Sequence, residues 1–414
     1  MTVPVLVLAP PRFIGPLGVM RSLRPFGARV YALSHESISI ANSSRFCAGT
    51  FAIGRDGRPL GQSEAEIVSG LLGAAERLGP GAVLIAGSDE WSVFVSAHAA
   101  ALAPAFRFPV VDLTLIDALA SKAGLNALAT EHGLPTPRIA VPADRDEVER
   151  LAAELEFPVM LKPILSRPGR QGLTLVREPA ALLPAYREMD DDGNILCQEF
   201  IPGTDQDVWI FNGYFDAESN CLAAFTGQKI RQHPAHQGLC AFGVSRQNQE
   251  VIEITVDFLK RVGYRGVVDI GYRYDRRDGR YKVLDINPRL GGAFRIFVDR
   301  NGLDVVRAMY LDLTGGSVPP VVPHDGRKWM LEAGELLAYR HYKRDEGLTL
   351  RSWLRSLHGL AEGATWSPTD PRPFANAMRI LVADTFAGRR AAATRSSRLH
   401  ARQAPAPGHP GSRP

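Results

Sequence analysis

The run Val267-Val268-Asp269-Ile270-Gly271-Tyr272-Arg273-Tyr274, then Asp275-Arg276-Arg277-Asp278-Gly279, then Arg280-Tyr281-Lys282-Val283-Leu284-Asp285-Ile286-Asn287-Pro288-Arg289, decides how this chain is read. Two β-rich segments, Val267–Tyr274 and Tyr281–Ile286, flank a polar cluster ending in glycine, which spells a hairpin. A turn centred on Arg277 sets Asp269 directly opposite Asp285. Period-two alternation then puts Asp269, Asp285 and Asn287 on one face and Ile270, Leu284 and Ile286 on the other. Cross-strand Cβ atoms stand only ~4.5–5.5 Å apart, and like charges there are destabilising. Two carboxylates and an amide oxygen so placed suit a hard divalent cation such as magnesium. A solvated hairpin face with incidental acids has the same pattern, and an even-length turn would break the facing. Arg289, two residues beyond Asn287, supplies a guanidinium able to grip an anion beside the metal; a structural salt bridge is the alternative.

Upstream, strands and helices alternate. Val3–Ala9, Ala28–Leu33 and Ala82–Ala86 read as strands, Leu17–Phe26 and Glu64–Arg77 as helices. Such interleaving implies α/β architecture with a parallel, Rossmann-like sheet. The loop Pro10–Gly18 lacks GxGxxG, which counts against a nicotinamide oxidoreductase. Asp117–His132 reads as one helix stopped by Gly133-Leu134-Pro135-Thr136-Pro137. Strands follow at Phe157–Lys162, Leu173–Val176, Ile195–Phe200 and Val208–Phe211, and a helix at Glu250–Val262. Lys162 ends an apolar strand ahead of a glycine-containing loop, Ser166 to Gly172, an arrangement suited to a point charge held against phosphate oxygens. Lys122 and Lys229 carry less weight singly. His233 and His236, one helical turn apart in a Pro/Gly-rich loop, are a poor metal signal.

At 414 residues the chain calls for more than one core. Hydrophobic residues make up 45% and charged ones 22%, a globular balance with no apolar run near the ~18 residues of a membrane span. The N-terminus reads as a first strand and not as a signal peptide. Scattered Cys47, Cys197, Cys221 and Cys240 fit free thiols in a cytoplasmic protein. Six arginines and no lysine or acid lie between Arg389 and Pro414, so the net +4 turns slightly negative without that stretch. Residues 389–414 read as a disordered basic tail, and the body offers no electrostatic reason for a nucleic-acid partner.

Taken together the motifs resemble the ATP-grasp superfamily across roughly residues 113–315. They run in that family's order: Ser121-Lys122; Phe157-Pro158-Val159-Met160-Leu161-Lys162-Pro163; the loop to Gly172; Gln198-Glu199-Phe200-Ile201-Pro202-Gly203; Gly227-Gln228-Lys229-Ile230-Arg231-Gln232; Asp269; and Leu284-Asp285-Ile286-Asn287-Pro288-Arg289. The resemblance implies an N-terminal α/β domain over residues 1–112. An α+β ATP-grasp domain follows over 113–317, with a mobile lid at about 134–197, and then an extension of unknown role over 318–388. It also implies residue roles. Lys122 and Lys162 contact ATP phosphates, Ser166, Gly169 and Gly172 belong to the lid over them, and Glu199, Phe200 and Ile201 form the adenine hinge. Asp207 is the ribose acid, with an alignment that can slip by two. Lys229 stands near the transferred phosphate, Asp269, Asp285 and Asn287 hold magnesium (two ions, with manganese admitted), and Arg289 steadies the acyl phosphate.

Within the superfamily the chain looks most like stand-alone carboxylate–amine ligases, D-aspartate ligase-like enzymes among them. These form an amide through an acyl phosphate and release ADP and phosphate. A biotin carboxylase-like enzyme and a non-catalytic nucleotide binder are the alternatives. Two points depart from the family: aspartate stands at both metal positions where glutamate is common, and the lid has fewer glycines than carboxylase lids. The partners implied are a small carboxylate and an amine, with no nucleic acid and no membrane; a homodimer is allowed. Both substrates belong between Ser88-Asp89-Glu90 and Arg289–Arg295. Trp329, Glu332 and Glu335 are further candidates for an acceptor site or an oligomer contact.

Overall fold

The computed structural model describes residues 2–35, 38–55, 57–59, 62–164, 173–189 and 194–386. Its N-terminal sheet contains β1 (Val5–Leu8), β2 (Val30–Leu33), β3 (Cys47–Phe51), β4 (Ala82–Ala86) and β5 (Phe106–Arg107). All pairs are parallel, in the order β3-β2-β1-β4-β5. The uniformly buried Val5-Leu6-Val7-Leu8 run suits a strand covered on both faces. The helix Glu64–Leu78 begins with a capping box between Ser63 and Glu66, a device worth about 1 kcal/mol.

Next comes a four-stranded antiparallel sheet: β6 (Ile139–Ala140), β7 (Val159–Pro163), β8 (Thr174–Val176) and β9 (Ile195–Glu199), in the order β6-β9-β7-β8. The helices Arg145–Glu154 and Leu182–Met189 close a core of its own around Val148, Leu161, Leu182 and Tyr186. The third sheet has seven strands. It contains β10 (Val208–Phe215), β11 (Cys221–His233), β12 (Leu239–Ser245), β13 (Gly266–Asp275), β14 (Arg280–Asn287), β15 (Lys328–Met330) and β16 (Leu360–Gly363). Their order is β14-β13-β10-β11-β12-β15-β16. Residues 318–386, which carry no sequence motif, thus add two short strands to this sheet.

One face of the large sheet packs on the helices Leu113–Ala120, Lys122–Glu131 and Gln249–Arg261. The other joins the N-terminal sheet in a single core through Val5, Leu17, Val83, Ile210, Phe297 and Met309. A buried ionic web reinforces that junction. Arg295 pairs with Asp304 and Glu362, Arg327 pairs with Glu362, and Ser22 Oγ donates to Asp304. Among the described residues no helix is long and apolar enough to cross a membrane.

One expectation about the helices needs correction, and one motif gains an element. The helix read over Asp117–His132 is two helices, Leu113–Ala120 and Lys122–Glu131. Ser121 between them is extended and caps the second by accepting from Gly124 N–H, the alternative to helix continuation that serine offers the backbone. Gly124 packs so closely on the Ala118 backbone that a Cβ there would lie 2.8 Å from its carbonyl oxygen. The segment Gly227–Gln232 belongs to the thirteen-residue strand β11, of which sequence gave no warning.

Candidate active site

The hairpin forms, with a register other than the expected one. Asp269 faces Asn287, and Asp285 faces Gly271. The turn leaves four residues, Arg276 to Gly279, between the pair Asp275 and Arg280, and a bulge beyond Tyr272 makes Leu284 the unpaired residue. Together these displace the pairing by two positions. An even displacement preserves the side on which a residue points, so Asp269, Asp285 and Asn287 still share a face. Ile270 and Ile286 are buried on the other. The turn is pinned by buried Asp275, which accepts from Arg277 N–H and guanidinium and from Lys282 Nζ; the Arg277 bonds above all hold its carboxyl well below the usual range.

Bare backbone surrounds the two carboxylates. A Cβ on Gly291 would lie 2.5–2.8 Å from the Asp269 carboxyl group, and one on Gly271 would collide with Asp285 Oδ1. Asn287 Nδ2 donates to Asp285 Oδ2 and to the Asp269 carbonyl, both at 3.1 Å. Burial pushes the Asp269 carboxyl up to about 6; Arg289 opposes this, Asp285 adds to it, and Lys229 and Asn212 oppose it. An all-oxygen donor set with a carboxylate so penalised fits a hard divalent cation, whose charge would relieve the penalty. Among the described residues no three His, Cys, Asp or Glu side chains are placed to hold a metal ion by themselves, and in this set the third donor is the Asn287 amide.

Cations approach from two other elements. Lys162 lies in β7 and Lys122 opens its helix, joined by Lys122 N–H to the Ile164 carbonyl at 3.2 Å. Burial pushes Lys162 down to about 8, with Asp285 opposing and Lys122 and Arg273 pushing further. Lys122 is lowered by burial too, with Asp285 and Asp89 opposing. Both ammonium groups therefore sense the hairpin acid across the gap between the two sheets. Lys229 Nζ, on β11, donates to Gln232 Oε1 at 3.2 Å and to the Gly238 carbonyl at 3.0 Å.

Arg289 reaches back to the N-terminal domain. Its Nε donates to Asp89 Oδ1 at 3.0 Å and its Nη2 to Asn287 Oδ1 at 3.0 Å. The junction beneath is fixed by Ser92 Oγ donating to the Pro288 carbonyl at 2.5 Å. Glu199 ends β9 and is clipped to the hairpin by Arg277 at 2.5 Å and Lys282 at 3.6 Å. Phe200 and buried Ile201 follow it into the connection toward β10. Asp207 is buried and committed to Thr204 N–H at 2.7 Å and to Arg276 at 2.9 Å. Asp205, two residues earlier, bonds Gln232 at 2.7 Å. Ser166, Gly169 and Gly172 lie outside the described residues, as does the tail.

Several site residues carry no local sequence signal. Asn212, fully buried in β10 opposite Asp269, donates to the Asp269 carboxylate at 3.4 Å. Arg273 shares the Asp269 face and has a buried Nε without a partner among the described residues. Strand alternation from Asp269 is the one signal that could have pointed to Arg273. The C-terminal candidates lie in the interior. Trp329 is core, Glu332 accepts from Thr365 and Trp366 N–H, and Glu335 pairs with Arg231 in the interior.

A small antiparallel sheet bringing Lys162, and a neighbouring helix bringing Lys122, toward an acidic hairpin of the large sheet, behind an N-terminal α/β domain, matches an ATP-grasp architecture. Residues 122–311 match the family model described as the carbamoyl-phosphate synthase L chain, ATP binding domain. That match and the fold support an ATP-grasp superfamily member. It is 28% identical over 240 residues to D-aspartate ligase of Enterococcus faecium, covering 54% of this chain and 57% of that one. It is 26% identical over 189 residues to D-alanine–D-alanine ligase of Ectopseudomonas mendocina, covering 41% and 56%. The chain thus spans little more than half the length of these curated relatives. In fold it is similar to the biotin carboxylase domain of Hydrogenobacter thermophilus 2-oxoglutarate carboxylase, with TM-score 0.61, 18% identity and coverage of 79% and 73%.

Proposed function

We propose that this protein is an ATP-dependent carboxylate–amine ligase that works through an acyl phosphate. The observation that carries this is the convergence of Lys122, Lys162, Asp269, Asp285, Asn287 and Arg289 on one gap between two sheets, with Asp89 of the N-terminal domain at its edge. Likeness to D-aspartate ligase and to D-alanine–D-alanine ligase supports it.

A carboxylate oxygen attacks the γ-phosphorus of ATP, the β–γ P–O bond breaks, and ADP departs. The amine then attacks the acyl carbon and loses a proton, and the C–O bond breaks to release phosphate. Lys122 and Lys162 bind the phosphates, Lys229 approaches the terminal one, and Arg289 faces the oxyanion at the acyl carbon. Asp269, Asp285 and Asn287 would hold magnesium, which when bound neutralises triphosphate charge. The segment Glu199–Ile201 lies where adenine would rest. Residues of about 134–197 serve as the lid that keeps water from the activated acid.

ADP release measured against a panel of acids and amines tests this reading. ADP is expected only with a matched acid–amine pair. Bicarbonate as the effective acid would mark a carboxylating enzyme, and no ADP with any pair would mark a non-catalytic binder; either result contradicts the proposal.

A further inference from the structure

The helix Glu332–Asp345 comes from the C-terminal region, which no motif covers, and it sends one buried side chain toward the site. Tyr342 is 3% exposed; its hydroxyl donates to Asp205 Oδ2 and accepts the Gln232 backbone N–H at 3.1 Å. The other Asp205 oxygen accepts from Gln232 Nε2 at 2.7 Å, and Gln232 Oε1 accepts from Lys229 Nζ at 3.2 Å. Asp205 and Gln232 are 8% and 2% exposed. A carboxylate only accepts and an ammonium only donates, so the amide between them has a single permitted orientation.

The second acceptor of Lys229, the Gly238 carbonyl, lies two residues beyond His236, which approaches the same hydroxyl. His236 N–H lies 3.5 Å from Tyr342 Oη, and the His236 ring lies 3.5 Å from Asp205 and 3.4 Å from Glu346. Gly238 is folded against the His233–Pro234 backbone, with no room for a Cβ. A lysine has a flexible four-carbon stem, and fixed acceptors decide where its ammonium stands. Buried acceptors do this without competition from water.

We propose that Tyr342 is a positioning residue for Lys229, acting through the buried chain Tyr342–Asp205–Gln232. The C-terminal region thereby sets where the lysine assigned to the terminal phosphate stands. This rests on the ATP-binding reading above, and the test separates the two.

Calorimetric titration of the full chain with Mg·ATP is compared for wild type, Tyr342→Phe, Lys229→Ala and the double variant, with melting curves as the control for folding. Tyr342→Phe is expected to weaken binding roughly tenfold, the scale of one lost buried hydrogen bond, and Lys229→Ala at least as much. The double variant should bind no more weakly than Lys229→Ala alone, because both changes remove one interaction. Losses that multiply would overturn the proposal. Asp205→Asn decides the matter if Tyr342→Phe does not fold. An amide there has one acceptor oxygen where the carboxylate has two, so it gives up acceptance either from Tyr342 or from Gln232, and the resulting loss should disappear in the Lys229→Ala background. Wild-type protein that takes up no Mg·ATP would sink the ATP-binding reading itself, whatever the variants do.

Discussion

Asp285→Ala is expected to cut turnover by about 10³-fold or more while the protein stays folded. The side chain is exposed, on the open face of the hairpin, so its loss opens no cavity. Among the described residues it accepts a hydrogen bond from Asn287 Nδ2, which also donates to the Asp269 carbonyl and keeps that partner. The functional loss is of another order. Asp285 opposes the depression of both Lys122 and Lys162 and supplies one of two carboxylates in an oxygen donor set. Without it Asp269 faces the triphosphate charge with a single amide beside it. Turnover measured alongside a melting curve and a magnesium titration checks this. Undiminished turnover at ordinary magnesium would remove the hairpin from the mechanism.

Arg289→Ala should lower hydroxamate formation about 10²–10³-fold when hydroxylamine replaces the amine, the scale of losing one oxyanion donor. Affinity for Mg·ATP should change little, because the guanidinium is assigned to the acyl carbon and not to the nucleotide. The split matters, since Arg289 also ties Asp89 to Asn287 and a merely structural role would lower both quantities together. A colorimetric hydroxamate assay with parallel calorimetry separates them. Normal hydroxamate yield in the variant would take Arg289 out of the reaction.

The sequence carried the hairpin because its signal is local: two alternating runs around one turn. The side on which Asp269, Asp285 and Asn287 point was legible. The register was not, because a four-residue turn and a bulge at Leu284 leave no mark in the alternation. The break at Ser121 was missed because the apolar periodicity of the two helices runs on through it, and only the backbone shows the cap. Strands β15 and β16 are three and four residues long; β15 owes its place to β12, distant in sequence, and β16 pairs in turn with β15. Asn212 and Tyr342 were invisible for the same reason. Each is an ordinary core residue until the sheet and the C-terminal helix bring it against Asp269 or Asp205. The ion pair of Asp89 with Arg289 spans 200 positions, and sequence could place Asp89 only near a substrate edge.

In the proposed mechanism the acid is activated by its own oxygen bonding to the γ-phosphorus. Supplying the acid with ¹⁸O in its carboxylate and analysing the released phosphate by mass spectrometry or ³¹P NMR tests this directly. The mechanism transfers one carboxylate oxygen, so phosphate should carry a single ¹⁸O for each amide formed, with ADP as the nucleotide product. Label appearing in AMP, with pyrophosphate released, or phosphate free of ¹⁸O while amide accumulates, would contradict the account.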